Sequence, residues 1–122
     1  MSEILELTRK YLAAVEQCAV GPTLAAFYTE DVVQEEFPNQ FTPLGARREL
    51  TQILEAAERG RALLKSQTFE VQNTIEQDNQ IAIEILWTGI LKTGAELKAR
   101  FATILEFRDG RIARQRNYDC KL

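Results

Sequence analysis

Histidine is absent from this 122-residue chain, which removes His-dependent catalytic triads, imidazole bases and most zinc sites. Acid/base chemistry here falls to carboxylate, tyrosine, lysine or cysteine. Cysteine is scarce too. Cys18 and Cys120 cannot build a disulfide scaffold, and they read first as small apolar side chains. The opening stretch Met1-Ser2-Glu3-Ile4-Leu5-Glu6 is acidic and lacks the basic and apolar regions of a secretory signal. The expected compartment is therefore cytoplasmic, where both cysteines stay thiols. No apolar run approaches the roughly 20 residues that cross a bilayer, so no membrane partner is expected. A net charge of −3 offers no cationic surplus for nucleic acid. There is no glycine-rich phosphate loop and no ligand cluster at metal spacing, so neither a metal nor another cofactor is expected.

What is present is an ordinary soluble composition, 45% hydrophobic and 27% charged, at a length suited to one domain spanning 1–122. Ile4, Leu5, Thr8, Tyr11, Leu12 and Val15 recur at three- and four-residue steps behind Ser2, predicting a first helix. Gly21-Pro22 interrupts the chain and restarts it as a short helix over Thr23–Phe27. Val32–Phe37 reads as a strand and Pro38–Gly45 as a loop over the mouth of a site. A third helix is predicted from Ala46 to Leu64, with Leu50, Ile53, Leu54, Ala57 and Leu64 on its apolar side, Arg47, Arg48, Arg59 and Arg61 on its solvated side, and Gly60 weakening its last turn.

From Ser66 the period changes to two. Thr68–Ile75, Gln80–Leu91, Ala95–Phe107 and Arg111–Asp119 read as strands joined by short turns at Gln77-Asp78-Asn79, Thr93-Gly94 and Asp109-Gly110, hence antiparallel neighbours. Ile81, Ile83, Ile85 and Trp87 share one face, as do Phe101, Thr103, Leu105 and Phe107. Helices first and strands afterwards is the α+β order: three N-terminal helices on a strongly curved, largely antiparallel mixed sheet, leaving a cone-shaped pocket.

The segments Lys10-Tyr11-Leu12-Ala13-Ala14-Val15, Phe27-Tyr28-Thr29-Glu30-Asp31 and Phe107-Arg108-Asp109-Gly110-Arg111-Ile112, in that order and spacing, resemble the superfamily that unites nuclear transport factor 2, ketosteroid isomerase and SnoaL-like proteins. The resemblance covers essentially the whole chain and implies the cystatin-like cone. It implies that Tyr11 occupies the place of the isomerase's oxyanion-binding tyrosine and Glu36 that of its aspartate base. The isomerase's second, protonated-acid donor falls on Leu105, which can donate nothing. Losing such a donor costs about 3 kcal/mol of transition-state stabilisation, which disfavours steroid isomerisation itself. Scytalone-dehydratase-like sites need histidines. Limonene-epoxide-hydrolase-like sites use two aspartates bridged by an arginine, and the matching last-strand position is Asn117.

If the last strand is oriented as in these relatives, Gln115, Asn117 and Asp119 form a polar wall in a pocket whose apolar lining includes Trp87, Phe101 and Leu105, with Thr103 beside them. That lining suits a mostly apolar organic ligand carrying one or two oxygens. Glu35 and Glu36 must point to opposite faces, so only one enters. Two readings of Glu36 stand. Desolvation raises its pKa and makes it a base, with Tyr11 steadying the oxyanion; or it pairs with an arginine at the mouth. Tyr11 and Trp87 are equally readable as core, and the polar wall as the solvated end of a sheet. Two functional readings follow: an isomerase, dehydratase or cyclase acting on a carbonyl compound, and a non-catalytic ligand-binding or dimerisation module. Ala82, Leu86, Ile90, Ala102 and Ile104 make the outward sheet face unusually apolar, which predicts a homodimer through it.

Overall fold

A computed structural model describes residues 2–122. Helix α1 (Glu3–Glu16) begins where the Ser2 hydroxyl accepts the Leu5 amide at 3.0 Å, with Glu3 and Glu6 at its positive end. It stops at Cys18, whose φ of 57° is left-handed. Gly21, also left-handed, and Pro22 start the short helix α2 (Gly21–Ala25).

Strand β1 (Tyr28–Glu36) starts four residues earlier than the sequence pattern suggested. A register shift between Tyr28 and Val33 accommodates the charged pair Glu30-Asp31 at the surface. Ala46–Arg48, expected as the first turn of the third helix, instead forms β2, a short strand antiparallel to β1. The helix α3 (Leu50–Leu63) starts only after Glu49, whose amide donates to Gln52 Oε1 at 2.8 Å. Gly60 does not end α3, which runs on directly into β3 (Leu64–Gln77).

Strands β4 (Gln80–Leu91), β5 (Glu96–Arg108) and β6 (Arg111–Lys121) follow, and the sheet order is β2-β1-β6-β5-β4-β3. All neighbours are antiparallel except β1 and β6, which run parallel and place Gln34 beside Gln115 and Glu36 beside Asn117. Asp109 and Gly110 both take positive φ at the β5–β6 turn, the conformation a tight hairpin requires.

The expected alternation holds. Ile81, Ile83, Ile85 and Leu105 are buried against Tyr11, Leu12, Leu24 and Ile53 from the helices. On the reverse face Leu86, Ile90 and Ile104 are half-buried, while Ile75 and Tyr118 are exposed. The core is thus a layer between helices and one face of the sheet, and the polar members of that face define the site.

Candidate functional site

The concave face encloses two cavities that share Tyr11, Val15 and Gln34 on their walls. One, of about 230 Å³, lies under α2 and α3. The other, of about 190 Å³, lies between α1 and the sheet and is lined by Phe69, Ile85, Phe101, Thr103, Gln115, Asn117 and Asp119. Five residues expected on the pocket wall, Phe101, Thr103, Gln115, Asn117 and Asp119, are therefore brought together there. Trp87 and Leu105 are not. Leu105 is fully buried in the core. Trp87 stacks on Phe101, lies over Gly89 and donates its indole N–H to Gln67 Oε1 at 2.9 Å, so it supports the wall from behind.

A continuous hydrogen-bond network crosses this wall, and counting donors orients it. The Tyr11 and Tyr28 hydroxyls are 2.7 Å apart, and Tyr11 donates to Gln115 Oε1 at 3.3 Å, so Tyr28 is the donor to Tyr11. Gln34 Nε2 donates to the same Gln115 oxygen at 3.0 Å. Gln115 Nε2 and Thr103 Oγ1 both donate to Asn117 Oδ1 at 3.1 Å. Asn117 therefore has its oxygen doubly committed, while among the described residues its amide nitrogen donates to nothing and is free to meet a ligand oxygen. Burial pushes the Tyr11 phenol above its ordinary pKa, with the Tyr28 and Gln115 hydrogen bonds pulling partly back, so it stays a neutral hydroxyl.

The titrating carboxylates separate in a way the sequence pattern did not foresee. Burial pushes Glu36 up, but hydrogen bonds from Asn39 Nδ2 at 3.0 Å, Thr42 Oγ1 at 2.7 Å and Arg48 Nη1 at 3.1 Å, with the Arg48 charge, outweigh it and hold its carboxyl below its ordinary value. Of the two readings of Glu36, the structure shows the pairing with an arginine and not the raised base; the arginine is Arg48, expected on the solvated side of a helix and here its largely buried partner. Glu36 also organises the loop after β1. Asn39 Oδ1 accepts the Phe41 and Thr42 amides, and Gly45 adopts φ 70° where a Cβ would stand 2.8 Å from the Glu36 carbonyl. Phe41 then meets the edge of Trp87. Glu35 points outward and accepts from Arg114.

The raised carboxylate is Asp119. Burial, then the nearby negative charge of Glu36, lift it from 3.8 to about 6, with Arg48 opposing the rise. The sequence placed Asp119 on the wall but carried no sign of its titration, because the causes are its burial in the fold and then the charge of Glu36, brought near by the parallel β1–β6 pairing. The cavity thus presents a hydrogen-bond donor at Asn117 and a proton-exchanging group at Asp119, two residues apart on the same face of β6. Among the described residues no group of three potential metal ligands comes together, and no helix is long and apolar enough to cross a membrane.

Helices on one face of a six-stranded mixed sheet with cavities between them are the architecture of the nuclear transport factor 2-like α+β cone. Residues 8–115 match the SnoaL-like domain family, and the chain belongs to it. Among solved structures, the chain is similar to a nuclear transport factor 2-like protein of unknown function from Burkholderia pseudomallei (16% identity, 97% of this chain and 91% of that one, TM-score 0.80). It is similar also to TerC, co-crystallised with polyporic acid (16% identity, 96% and 91% covered, TM-score 0.78). A third similar structure is a protein of ketosteroid isomerase-like fold from Catenulispora acidiphila in complex with trimethylamine (18% identity, 88% and 83% covered, TM-score 0.68). No curated protein matches by sequence. Identities this low establish the fold and leave the activity to the residues of this chain.

Proposed function

We propose that the protein is a small-molecule enzyme that moves a proton next to the carbonyl group of a mostly apolar compound, in an isomerase, cyclase or dehydratase type of reaction. The carrying observation is the pairing of Asp119, poised near neutral pH, with the uncommitted Asn117 amide on one cavity wall. Asp119 takes the proton from the carbon beside the carbonyl, the bonding electrons pass to the carbonyl oxygen, and Asn117 Nδ2 donates to that oxygen as charge collects on it. Returning the proton to the same or another carbon completes the step. Glu36 acts in this reading through its charge and not as the base: it holds Arg48 and raises Asp119. Tyr11 acts as the positioning group that fixes Gln115 and, through it, Asn117.

A mostly apolar lining with few polar groups supports a small organic ligand, as do the ligands carried by TerC and the Catenulispora protein. The test is exchange of the methyl protons of 2-acetylnaphthalene in deuterium oxide, followed by NMR. Catalysed exchange that falls by at least about 100-fold in Asp119→Asn is expected. Binding without any catalysed exchange overturns the catalytic assignment in favour of a ligand-binding module, a reading favoured by the apolar Leu105 at the position of the isomerase's second donor.

The exposed Ile75 and Tyr118, the latter stacked on Phe37, together with half-buried Leu86, Ile90 and Ile104, support a homodimer through the outward face. Sedimentation at micromolar concentration giving a monomer refutes it. The two free thiols fit a cytoplasmic setting.

A further inference from the structure

The cavity under α2 and α3 has an opening of its own, away from Asp119. Arg61, Leu64, Gln67 and Cys18 line both that cavity and an adjoining surface hollow, to which Lys65 and Lys92 also contribute. Three cations therefore surround one opening on a chain whose net charge is −3. None of the three joins an ion pair among the described residues. The acid of the hollow, Glu16, is committed elsewhere, accepting the Phe69 amide at 2.7 Å. Lys92 is held there by its backbone, whose N–H donates to the Leu63 carbonyl at 3.0 Å.

Behind this rim α3 presents Ala56, Ala57 and Gly60 to the space. A glycine inside a helix costs about 1 kcal/mol relative to alanine. Gly60 is not required for lack of room, because a Cβ there would meet nothing within 4 Å. What the three small residues provide is unfilled volume running from the cationic rim to Tyr11 and Gln34, which also line the cavity that holds Asp119.

We propose that this second cavity selects ligands that carry an anionic group, received by Arg61 with Lys65 and Lys92, on an apolar body that lies along Ala56, Ala57 and Gly60 and directs its oxygen-bearing end toward Asn117. The substrate class is thus an apolar carboxylate rather than a neutral ketone. The inference rests on the proposed use of the pocket, though not on its catalysis. Arg61, Lys65 and Lys92 are exposed, so each contributes modestly to anion binding and the attraction is weakened by salt. Arg61 also complements the dipole of the last turn of α3, but that effect is on stability and not on ligand choice.

The experiment is calorimetric titration of the full chain with 6-acetyl-2-naphthoate and with its uncharged methyl ester. At low salt the acid binds about tenfold more tightly than the ester. Arg61→Ala, or about 0.3 M salt, reduces that preference to about twofold or less and leaves ester affinity unchanged. Gly60→Leu blocks both ligands; should it fail to fold, Lys65→Ala and Lys92→Ala provide independent variants, each lowering the acid's affinity alone. Equal affinities for acid and ester, or a loss in Arg61→Ala that is the same for both, overturns the inference while the pocket reading stands. Failure of both to bind overturns the two together. The expected preference without catalysed proton exchange supports this inference and removes only the catalytic reading.

Discussion

Replacing Asp119 by asparagine should stabilise the protein at and above neutral pH and leave its stability nearly unchanged only below about pH 3.5. In the unfolded chain this carboxyl titrates near its ordinary 3.8, and in the fold at about 6. Between those values the native state binds more protons, so its stability falls as pH rises from about 4 to about 7. The full linkage is at most about 3 kcal/mol, at about 1.4 kcal/mol per tenfold change in acidity. Asp119 is only partly buried, so solvent screening reduces this to about 1–2 kcal/mol. Asparagine keeps the shape and never ionises. Urea denaturation at pH 8 should therefore show Asp119→Asn more stable than wild type by about 1–2 kcal/mol, or about 3–8 °C in melting temperature. The two curves should converge only below about pH 3.5, under the unfolded pKa of 3.8. Glu36 contributes the opposite trend, since its depressed pKa gives stability that is lost as pH falls. That trend is common to both proteins and cancels in the difference. A stability difference independent of pH, or an Asp119→Asn variant weaker than wild type at pH 8, would refute the burial and charge argument for this group.

The charges around Asp119 provide a second check: Glu36→Gln should lower its pKa below about 6 and Arg48→Met should raise it, both read by carboxyl carbon NMR titration. Thr8→Val should leave stability unchanged or raise it by about 1 kcal/mol in denaturant melts, because the Thr8 hydroxyl is buried without a partner. Gly89→Ala should destabilise by about 1–3 kcal/mol and alter tryptophan fluorescence, since a Cβ there would lie 2.5 Å from the Trp87 ring. Tyr11→Phe should cost about 1–2 kcal/mol in stability through the lost bonds to Tyr28 and Gln115, measured by thermal melting.

Much of this molecule was legible one residue at a time. Period-two alternation placed Ile81, Ile83 and Ile85 inside, and Asp109-Gly110 marked a hairpin, because these signals arise from backbone geometry within a few residues. Alternation also put Gln115, Asn117 and Asp119 together on one face of β6. The absence of histidine restricted acid/base chemistry to carboxylate, tyrosine, lysine or cysteine. Ala46–Arg48 was misread because three residues carry too little periodicity to separate the first turn of a helix from a short strand, and pairing with β1 decides the matter. That pairing also decides the electrostatics: it sets Arg48 against Glu36, while the parallel β1–β6 pairing brings both near Asp119 across more than seventy residues of chain. A carboxyl pKa depends on burial and on the distances to other charges. The local sequence around Glu36 and Asp119 contains neither, so only the tertiary structure could hold the first below its ordinary value and lift the second to about 6.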